Sequence, residues 1–437
     1  MGSKILRTGG YVLALAGLLA GCDFFDDEDR LEGERIRIRD ARAANDIQTV
    51  PGEPIPAAIR LENWTQTNGQ ANHASGHLQG PTSLSLAWRA DAGSGDDSDG
   101  TITSAPIVLG GRIFTMDSRA QLTAFDAQTG SEIWRTELTP EGEDDEDGFG
   151  GGLAAEGSTI FATTGFGEVV AVSAASGDII WRYRSAAAYR AAPAVARSTI
   201  FAVNRDNEAI ALSASSGAPV WRQAGITSEA GLLGGASPAV QSGLVVLPFG
   251  SGEIMGVDFS SGRQVWSAVL GGARRGLARS SIADVTGDPV IAGRAVVAAN
   301  QSGRIVAIDG QTGRRGWTRS IGSTGPIWAA GDSVYVVSDT SELVRLALRS
   351  GGTVWRTELP QYEDPDDRED PIAYSGPVLV GGQILVTDSL GNLMTFSPDT
   401  GTQNATIDLS DGSTTGPVVA GGLVYVLSSD GELQAFR

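Results

Sequence analysis

One pattern of residues recurs along the chain and indicates its fold. Its fullest copy is Ala124-Phe125-Asp126-Ala127-Gln128-Thr129-Gly130-Ser131-Glu132-Ile133-Trp134. In each full copy, a glycine is followed four residues later by a tryptophan. The further copies are Gly177/Trp181, Gly217/Trp221, Gly262/Trp266, Gly313/Trp317, Gly351/Trp355 and a degenerate Gly401/Ala405. Such a repeat predicts one supersecondary unit per copy rather than a single large core.

The spacing of the repeat indicates the size and the number of these units. With Trp88 counted as the first tryptophan position, the series runs 88, 134, 181, 221, 266, 317, 355 and 405. Each step is roughly 45 residues, which is the size of a four-stranded propeller blade. The series therefore predicts eight blades.

The interior of each unit is typical of strands. Short β-branched and aromatic runs, such as 111–117 and 422–427, lie between Gly, Asp and Ser residues. In the Asp-x-x-Thr-Gly turn, the Asp side chain accepts backbone N–H groups and the Gly supplies a positive φ. A proline before an apolar run fits the free edge of an innermost strand. These prolines are Pro106, Pro193, Pro238, Pro289, Pro326, Pro377 and Pro417.

The last unit shows how the ring closes. Residues 415–436 contain only three strand-like runs, whereas residues 84–90 carry Trp88 with no unit before it. Pairing the two segments removes the free edges of an open array. We therefore predict an all-β, eight-bladed β-propeller of four-stranded antiparallel blades, closed by an N-terminal strand that completes the last blade. We expect the repeat tryptophans to pack between neighbouring blades: Trp88, Trp134, Trp181, Trp221, Trp266, Trp317 and Trp355.

The composition excludes several classes of function. The chain has 437 residues, 59 of them glycine, and a formal charge of −20 at pH 7. A charge of this sign repels a nucleic-acid backbone, so we expect no nucleic-acid partner. The single cysteine, Cys22, excludes an intramolecular disulfide and a cysteine-rich metal site.

The N-terminus predicts export and a lipid anchor. Lys4 and Arg7 precede an apolar stretch, 9–20, that is too short to span a bilayer but fits the core of a signal peptide. The residues Leu19-Ala20-Gly21-Cys22 resemble the lipobox of bacterial lipoproteins, which implies cleavage after residue 21 and acylation of Cys22. Asp23 resembles an inner-membrane retention signal of enteric bacteria, and this residue alone leaves the choice of membrane open.

The chain divides into three parts. Residues 1–21 form the lipoprotein signal peptide, and residues 22–60 are polar, charged and proline-containing. Such a segment buries too little apolar surface to fold alone, so we interpret it as a flexible tether. Residues 61–437 form the propeller domain.

The repeat resembles that of pyrroloquinoline-quinone-type propellers, and the whole chain resembles the BamB family within that superfamily. The likeness includes the lipobox at Cys22, the stretch 31–36, Asn63-Trp64 before the ring and eight short blades without an extra domain. It implies a scaffold without catalysis or cofactor, lipid-anchored on the periplasmic face of the outer membrane. The implied partners are the periplasmic domains of the barrel-assembly insertase and the other subunits of that machinery.

The resemblance also implies a partner-binding patch made of two loops. In the family, leucines and an arginine precede one blade, and two acidic residues precede the next. The corresponding stretches are 231–234 and 283–288, where Leu232 matches a family leucine and Asp284 a family acid. Leu233 stands where the arginine is expected and Thr286 where the second acid is expected. Leu233 is counted with the patch as an exposed leucine, and Arg275, Arg279 and Asp288 are the nearby residues that could restore the missing chemistry.

Two other functions stay open at this point. The same repeat occurs in quinoprotein dehydrogenases, which resemble one another in a vicinal cysteine pair, a calcium site and an aspartate base. The only cysteine here is consumed by lipid, which argues against the enzyme. A generic envelope propeller with another protein partner is the second alternative.

Three clusters of polar residues are interpreted as structural. His73 and His77 are four residues apart, a spacing that on a helix suits a metal, but Gly76 and the surrounding residues indicate a loop. The runs 141–147 and 363–370 each hold six carboxylates without the spacing of a calcium-binding loop. We expect no metal site and interpret both runs as solvated acidic loops.

Overall fold

The computed structural model describes residues 49–148, 150–228, 234–271, 282–323 and 325–437. The signal peptide, Cys22, Asp23 and the first part of the tether lie outside these residues. The strands, in chain order, are β1 (Leu86–Asp91), β2 (Ile107–Leu109), β3 (Arg112–Met116), β4 (Gln121–Asp126), β5 (Glu132–Glu137), β6 (Gly151–Glu156), β7 (Thr159–Thr164), β8 (Glu168–Ser173), β9 (Ile179–Arg184), β10 (Ala194–Ala196), β11 (Thr199–Val203), β12 (Glu208–Ser213), β13 (Pro219–Ala224), β14 (Ala239–Gln241), β15 (Leu244–Pro248), β16 (Glu253–Asp258), β17 (Gln264–Val269), β18 (Val285–Ala292), β19 (Ala295–Asn300), β20 (Arg304–Asp309), β21 (Arg315–Arg319), β22 (Trp328–Ala330), β23 (Ser333–Val337), β24 (Glu342–Ala347), β25 (Thr353–Glu358), β26 (Tyr362–Asp364), β27 (Glu369–Pro371), β28 (Tyr374–Val380), β29 (Gln383–Asp388), β30 (Asn392–Phe396), β31 (Gln403–Asp408), β32 (Val418–Ala420), β33 (Leu423–Leu427) and β34 (Glu432–Phe436).

These strands build eight antiparallel four-stranded blades, as the repeat predicts. Blades 1 to 6 are β2–β5, β6–β9, β10–β13, β14–β17, β18–β21 and β22–β25; blade 7 is β28–β31, and blade 8 is β32–β34 with β1. Strands β26 and β27 form a separate hairpin between blades 6 and 7. The two short 3₁₀ segments in the described part of the chain are Thr67–Gly69 and Asp145–Asp147.

The N-terminal strand closes the ring as expected. Strand β1 pairs with β34 in antiparallel register, with Trp88 opposite Ala435. The backbones of Ser85 and Arg437 exchange two hydrogen bonds of 2.9 Å at the end of this ladder. Blade 8 therefore contains strands from both ends of the propeller domain.

The repeat turn has the chemistry that its residues indicate. The Asp126 carboxylate accepts hydrogen bonds from the backbone N–H of Gln128 and from the N–H and hydroxyl of Thr129, at 2.9–3.0 Å. These bonds, the Thr129 hydroxyl first, hold the pKa of Asp126 below its ordinary value. Gly130 follows with a φ of 72°, the left-handed conformation that favours glycine.

Each repeat turn also holds the tryptophan of the preceding blade. The Trp181 Nε1–H donates to the Ala214 carbonyl at 3.1 Å, and a Cβ added at Gly217 would lie 2.7 Å from the Trp181 ring. The glycine is therefore needed for its positive φ and for the close approach of the indole. The same approach recurs at Gly130/Trp88, Gly177/Trp134, Gly262/Trp221, Gly313/Trp266, Gly351/Trp317 and Gly401/Trp355.

The seam between blades 8 and 1 departs from this pattern. There the carbonyl of Ala127, which corresponds to that of Ala214, accepts the Tyr425 hydroxyl at 3.0 Å rather than the Trp88 indole. Trp88 instead packs against Tyr425, with ring centroids 5.9 Å apart. The tyrosine thus takes over the polar contact at the closing seam.

Residues 49–60, which the composition assigns to the end of the tether, contact the rest of the propeller domain. Val50 N–H donates to the Thr353 carbonyl at 2.9 Å, and Ile59 N–H donates to the His77 carbonyl at 2.8 Å. The prolines between them lack an N–H group, so the segment stays extended while its flanking residues pair with neighbouring backbone. Residues 49–60 belong to the same compact unit as the blades.

Residues 61–78 form a plug that bonds to all eight blades near the ring axis, which the repeat pattern does not reveal. Each bond reaches the innermost strand of a blade or the residues that flank it. Taken from blade 8 through blades 1 to 7, the bonded pairs are Leu61/Gly421, Trp64/Val108, Thr65/Ala155, Gln66/Val195, Ala71/Val240, Asn72/Ile291, Gly76/Trp328 and Leu78/Leu379. The edge groups of the innermost strands thereby gain partners, which an open propeller centre would leave to solvent.

The two histidines serve the plug individually. His73 Nδ1 lies 2.8 Å from the Pro289 carbonyl, and burial lowers the pKa of His73 to about 4. His77 Nδ1 lies 2.8 Å from the Pro56 carbonyl, while its Nε2 accepts the Gly382 N–H at 3.0 Å. Over the described residues, no group of three or more His, Cys, Asp and Glu side chains is arranged to hold a metal ion.

The two acidic runs differ in their surroundings. In 141–147, Arg119 Nη1 lies 3.0 Å from Glu146 Oε1, so an arginine of blade 1 holds part of the run. The run 363–370 occupies the hairpin of β26 and β27, where its side chains are exposed. The first run is therefore partly neutralised and the second faces solvent.

Candidate partner-binding surface

The residues before and near the starts of the innermost strands surround a cavity of about 390 Å³. Trp64, Gln66, Thr67 and Asn68 of the plug form its floor. The loops that precede blades 3, 4 and 5 meet at its wall.

Arg190, which precedes blade 3, connects the loops before blades 4 and 5. Its Nη1 donates to the Asp284 carboxylate at 2.8 Å and lies 3.3 Å from the Gly234 carbonyl. The Asp284 side chain is only 1% exposed, so its charge is compensated almost entirely within the protein. Arg190 is thus the arginine that joins the two stretches that the sequence analysis singled out.

Asn207 of blade 3 also bonds to the loop that precedes blade 4. It has a φ of 61°, and its side-chain amide donates to the Ile226 carbonyl at 2.7 Å and accepts the Gly250 N–H at 2.9 Å. Ile226 itself is 55% exposed. Asn207 and Arg190 therefore bind backbone groups at 226 and 234, on either side of the loop before blade 4.

Asp288 lies in strand β18 on the cavity wall. Its Oδ1 accepts the Ser237 N–H at 2.7 Å, which connects blade 5 to the start of blade 4. Burial raises the pKa of the Asp288 carboxyl to about 7, against the effect of the bond from Ser237. Asp288 therefore gives up its proton far less readily than an exposed aspartate.

The structure thus brings two of the predicted site residues into one region and buries the charge of one of them. The Asp284 carboxylate bonds to Arg190, and the Asp288 carboxyl accepts the Ser237 N–H. Both groups are therefore already engaged within the protein. Leu232, Leu233, Arg275 and Arg279 lie outside the described residues. Arg190 was not predicted as a site residue, although its place among the small residues ahead of Pro193 is a signal that points to it.

These observations define a class: an eight-bladed repeat propeller, closed by its own N-terminal strand, with loops gathered at one end of a plugged channel. The family described as "Outer membrane protein assembly factor BamB" matches residues 80–145, 118–357 and 341–437. The chain belongs to this family.

Individual relatives agree with this assignment. The outer membrane protein assembly factor BamB of Alkalilimnicola ehrlichii is 32% identical over 72% of this chain and 78% of its own length. The crystal structure of BamB from Moraxella catarrhalis covers 81% of this chain and 100% of its own, with a TM-score of 0.67 and 21% identity. A quinohemoprotein alcohol dehydrogenase from Pseudomonas putida HK5 reaches a TM-score of 0.65 at 14% identity, over 88% of this chain and 83% of its own. The likeness to both structures is one of fold.

No helix in the described part of the chain is both long and apolar enough to cross a membrane.

Proposed function

We propose that this protein is a non-catalytic scaffold subunit of the machinery that assembles β-barrel proteins in the outer membrane. The match of the family to residues 80–437 carries this proposal. The relatives are named for outer-membrane protein assembly, and the propeller presents loops at one end of a plugged channel as a place for a partner. A fold shared with a dehydrogenase does not transfer that enzyme's activity.

The proposed partner is the insertase at the centre of this machinery, bound through its periplasmic domains. Its proposed contact is the surface around Arg190, together with Leu232, Leu233, Arg275 and Arg279 from the sequence analysis. Arg190 is 18% exposed while its buried partner Asp284 fixes its position. A positioned arginine next to Gly234, which directly follows Leu232 and Leu233 in the sequence, has the chemistry of an interface anchor.

The proposed location is the periplasmic face of the outer membrane, with an acylated Cys22 as the anchor. The lipobox-like residues 19–22 support it, and the names of the relatives agree with it. The part of the predicted tether that precedes the described residues, 22–48, would span at most roughly 97 Å when fully extended. That length lets the propeller reach partners that stand away from the bilayer.

Purification of the full-length protein from detergent-solubilised membranes tests the proposal, with bound proteins identified by mass spectrometry. We expect the insertase among them, and we expect Arg190→Ala to lower its yield by about tenfold, the equivalent of one lost anchor contact. Arg349→Ala is the matched control, because Arg349 is an 84% exposed arginine that pairs with Asp332 on blade 6. Thermal unfolding of both variants shows whether they are folded.

Two results would contradict this proposal. Wild-type protein that never retains an insertase would reject the function. Equal insertase yields from folded Arg190→Ala and Arg349→Ala proteins would show that Arg190 is not part of the contact.

A further inference from the structure

Two tight turns lie at the same end of each of blades 1 to 7. One joins the first strand to the second, and the other is the repeat turn between the third strand and the fourth. In blades 1 to 6 the second residue of the repeat turn donates its N–H to a carbonyl of the first turn, at 2.7–3.0 Å. We call this end of the ring the turn face. The bonded pairs are Ala127/Gly111, Ala174/Ser158, Ala214/Ser198, Phe259/Gly243, Gly310/Arg294 and Leu348/Asp332.

The charges on the turn face are divided between two halves of the ring. In blades 3 to 6 the turns hold five arginines and three aspartates, whereas in the other four blades they hold three aspartates and no basic residue. One half of this face is therefore positive on a chain whose formal charge is −20. The five arginines are all exposed, and we call them the basic arc: Arg197, Arg263, Arg294, Arg314 and Arg349. The aspartates are Asp258, Asp309 and Asp332 beside the arc, and Asp126, Asp178 and Asp399 in the other half.

Local ion pairs leave the arginines of the arc available to an external anion. Arg294 lies 2.7 Å from an Asp309 oxygen and Arg349 lies 3.6 Å from an Asp332 oxygen, but the two arginine side chains are 65% and 84% exposed. Ion pairs at such exposure are weak because water screens them. Guanidinium groups are planar forks that bind phosphate oxygens in pairs, so the arc has the chemistry of a phosphate-binding surface.

The segment that follows the tether is fixed to the turn face beside the arc. Thr49 forms a parallel bridge with Thr353, the residue directly after the repeat turn of blade 6. The side chain of Arg345 is fully buried; its Nη2 donates to the Glu53 carbonyl and its Nη1 to the Pro398 carbonyl at 3.0 Å. The chain therefore reaches the propeller at a blade of the arc, and an anchor upstream of residue 49 holds this face nearest to the membrane.

The two acidic runs and the proposed insertase contact lie at the opposite end of the blades. The runs 141–147 and 363–370, like Arg190, belong to connections that lead from a fourth strand to the first strand of the next blade. In an antiparallel blade these connections lie at the end opposite to the turn face. Negative and positive charge are thus separated along the ring axis, so a negative surface attracts the arc and repels the other end.

We propose that the basic arc docks the turn face of this protein on a bilayer surface that contains anionic phospholipids. The inference rests on the proposed location, in which an acylated Cys22 holds the chain at a membrane. The tether keeps the arc near that surface at a high effective concentration, so weak individual contacts suffice. Each basic residue next to an anionic bilayer adds about fivefold to binding. Docking in this orientation turns Arg190 and the loops around it away from the bilayer, toward the proposed partner.

Energy transfer to lipid headgroups measures this docking, with the full-length lipidated protein reconstituted in vesicles. The donor dye is attached to Gln311→Cys, an exposed position in the repeat turn of blade 5, and the acceptor dye to the headgroups. A second protein carries the donor at Asp366→Cys, in the hairpin of β26 and β27 at the other end of the blades. The vesicles contain phosphatidylcholine alone or mixed with phosphatidylglycerol.

Two triple variants separate the arc from the overall charge of the protein. The arc variant replaces three arginines of the arc with glutamine, and the control variant replaces three exposed arginines of outer strands, so that both lose the same charge. The substitutions of the arc variant are Arg263→Gln, Arg314→Gln and Arg349→Gln. The substitutions of the control variant are Arg89→Gln, Arg184→Gln and Arg222→Gln, at side chains that are 50–57% exposed. Thermal unfolding shows whether both variants are folded.

We expect phosphatidylglycerol to raise the energy transfer from position 311 and not from position 366, and we expect high salt to reverse the rise. In the arc variant the ratio of docked to undocked protein should fall by about tenfold or more, whereas the control variant should match the wild type. Equal responses of the two variants would overturn the proposal. A rise that resists salt, or an equal rise at both positions, would overturn it too.

Insertase capture from detergent distinguishes this proposal from the proposed function. The arc variant should capture the insertase at the wild-type level, because its substitutions lie at the end of the blades opposite to Arg190. A wild-type protein that never retains an insertase would contradict the proposed function, and the energy transfer in vesicles would still decide on the arc.

Discussion

Deletion of residues 84–91 is expected to leave no folded monomer. These residues form β1, the only strand that completes blade 8, and they carry Trp88 with its contacts to Gly130 and Tyr425. Removing a fully buried large aromatic costs about 3–5 kcal/mol, and loss of the partly buried Trp88 contributes a share of that cost. The added loss of a whole strand ladder brings the total near the ~5–15 kcal/mol stability of a typical domain.

Size-exclusion chromatography and denaturant unfolding measure this effect. Deletion of residues 362–371 is the matched control, because it removes a comparable segment from the hairpin of β26 and β27, which lies outside the eight blades. We expect the control to unfold cooperatively as a monomer and the closure deletion to aggregate or remain unfolded. A stable, cooperatively unfolding monomer that lacks residues 84–91 would show that the ring does not depend on this closure.

Substitution of a repeat glycine is expected to have the second largest effect. Gly217 has a φ of 69°, and a Cβ there would lie 2.7–3.1 Å from atoms of the Trp181 ring. Gly243 has a φ of 89° with no atom within 4 Å of its Cβ position. Both alanine variants incur the cost of a left-handed backbone, about 1–2 kcal/mol, but only Gly217→Ala adds overpacking of about 1–3 kcal/mol.

We therefore expect Gly217→Ala to lower the free energy of unfolding by about 3 kcal/mol and Gly243→Ala by about 1 kcal/mol. Urea unfolding of the two variants against the wild type measures the difference, and the tryptophan fluorescence of the folded state reports the displaced indole. Equal destabilisation would mean that the glycine is needed only for its φ and not for the packing of adjacent blades.

The sequence predicted the architecture well because the same blade pattern recurs along the chain. The Asp-x-x-Thr-Gly-x-x-x-Trp unit encodes a local turn and a contact with the next blade, so each copy supports the others. The closure by the strand around Trp88 followed from the mismatch between eight tryptophan positions and three strands in the last unit. Both features depend on periodicity, which is visible in a single sequence.

The plug and the seat of residues 49–52 could not be predicted in the same way. Residues 61–78 have no period, and their role depends on backbone groups of eight blades that come together only in the folded ring. The prolines at 51, 54 and 56 suggested a free tether, yet an extended chain is also what a strand edge accepts. Composition alone does not distinguish an extended chain in solvent from one on a sheet edge.

The candidate site was predicted only in part, because its residues are far apart along the chain. The stretches before blades 4 and 5 were singled out, but Arg190 lies 94 residues before Asp284, and no local pattern connects them. The sequence also gives no sign that Asp284 is buried. Its burial changes its expected role from a direct contact to the positioning of Arg190.

The rate at which outer-membrane β-barrel proteins assemble in cells shows whether this protein serves that assembly. In a strain that lacks the gene, pulse-labelled barrel proteins are followed by their heat-modifiable folded form, with and without the full-length chain supplied in trans. We expect the folded form to appear more slowly without the protein, and we expect the wild-type chain, but not the chain that lacks residues 84–91, to restore the rate. An unchanged rate in the absence of the protein would contradict a role in this assembly.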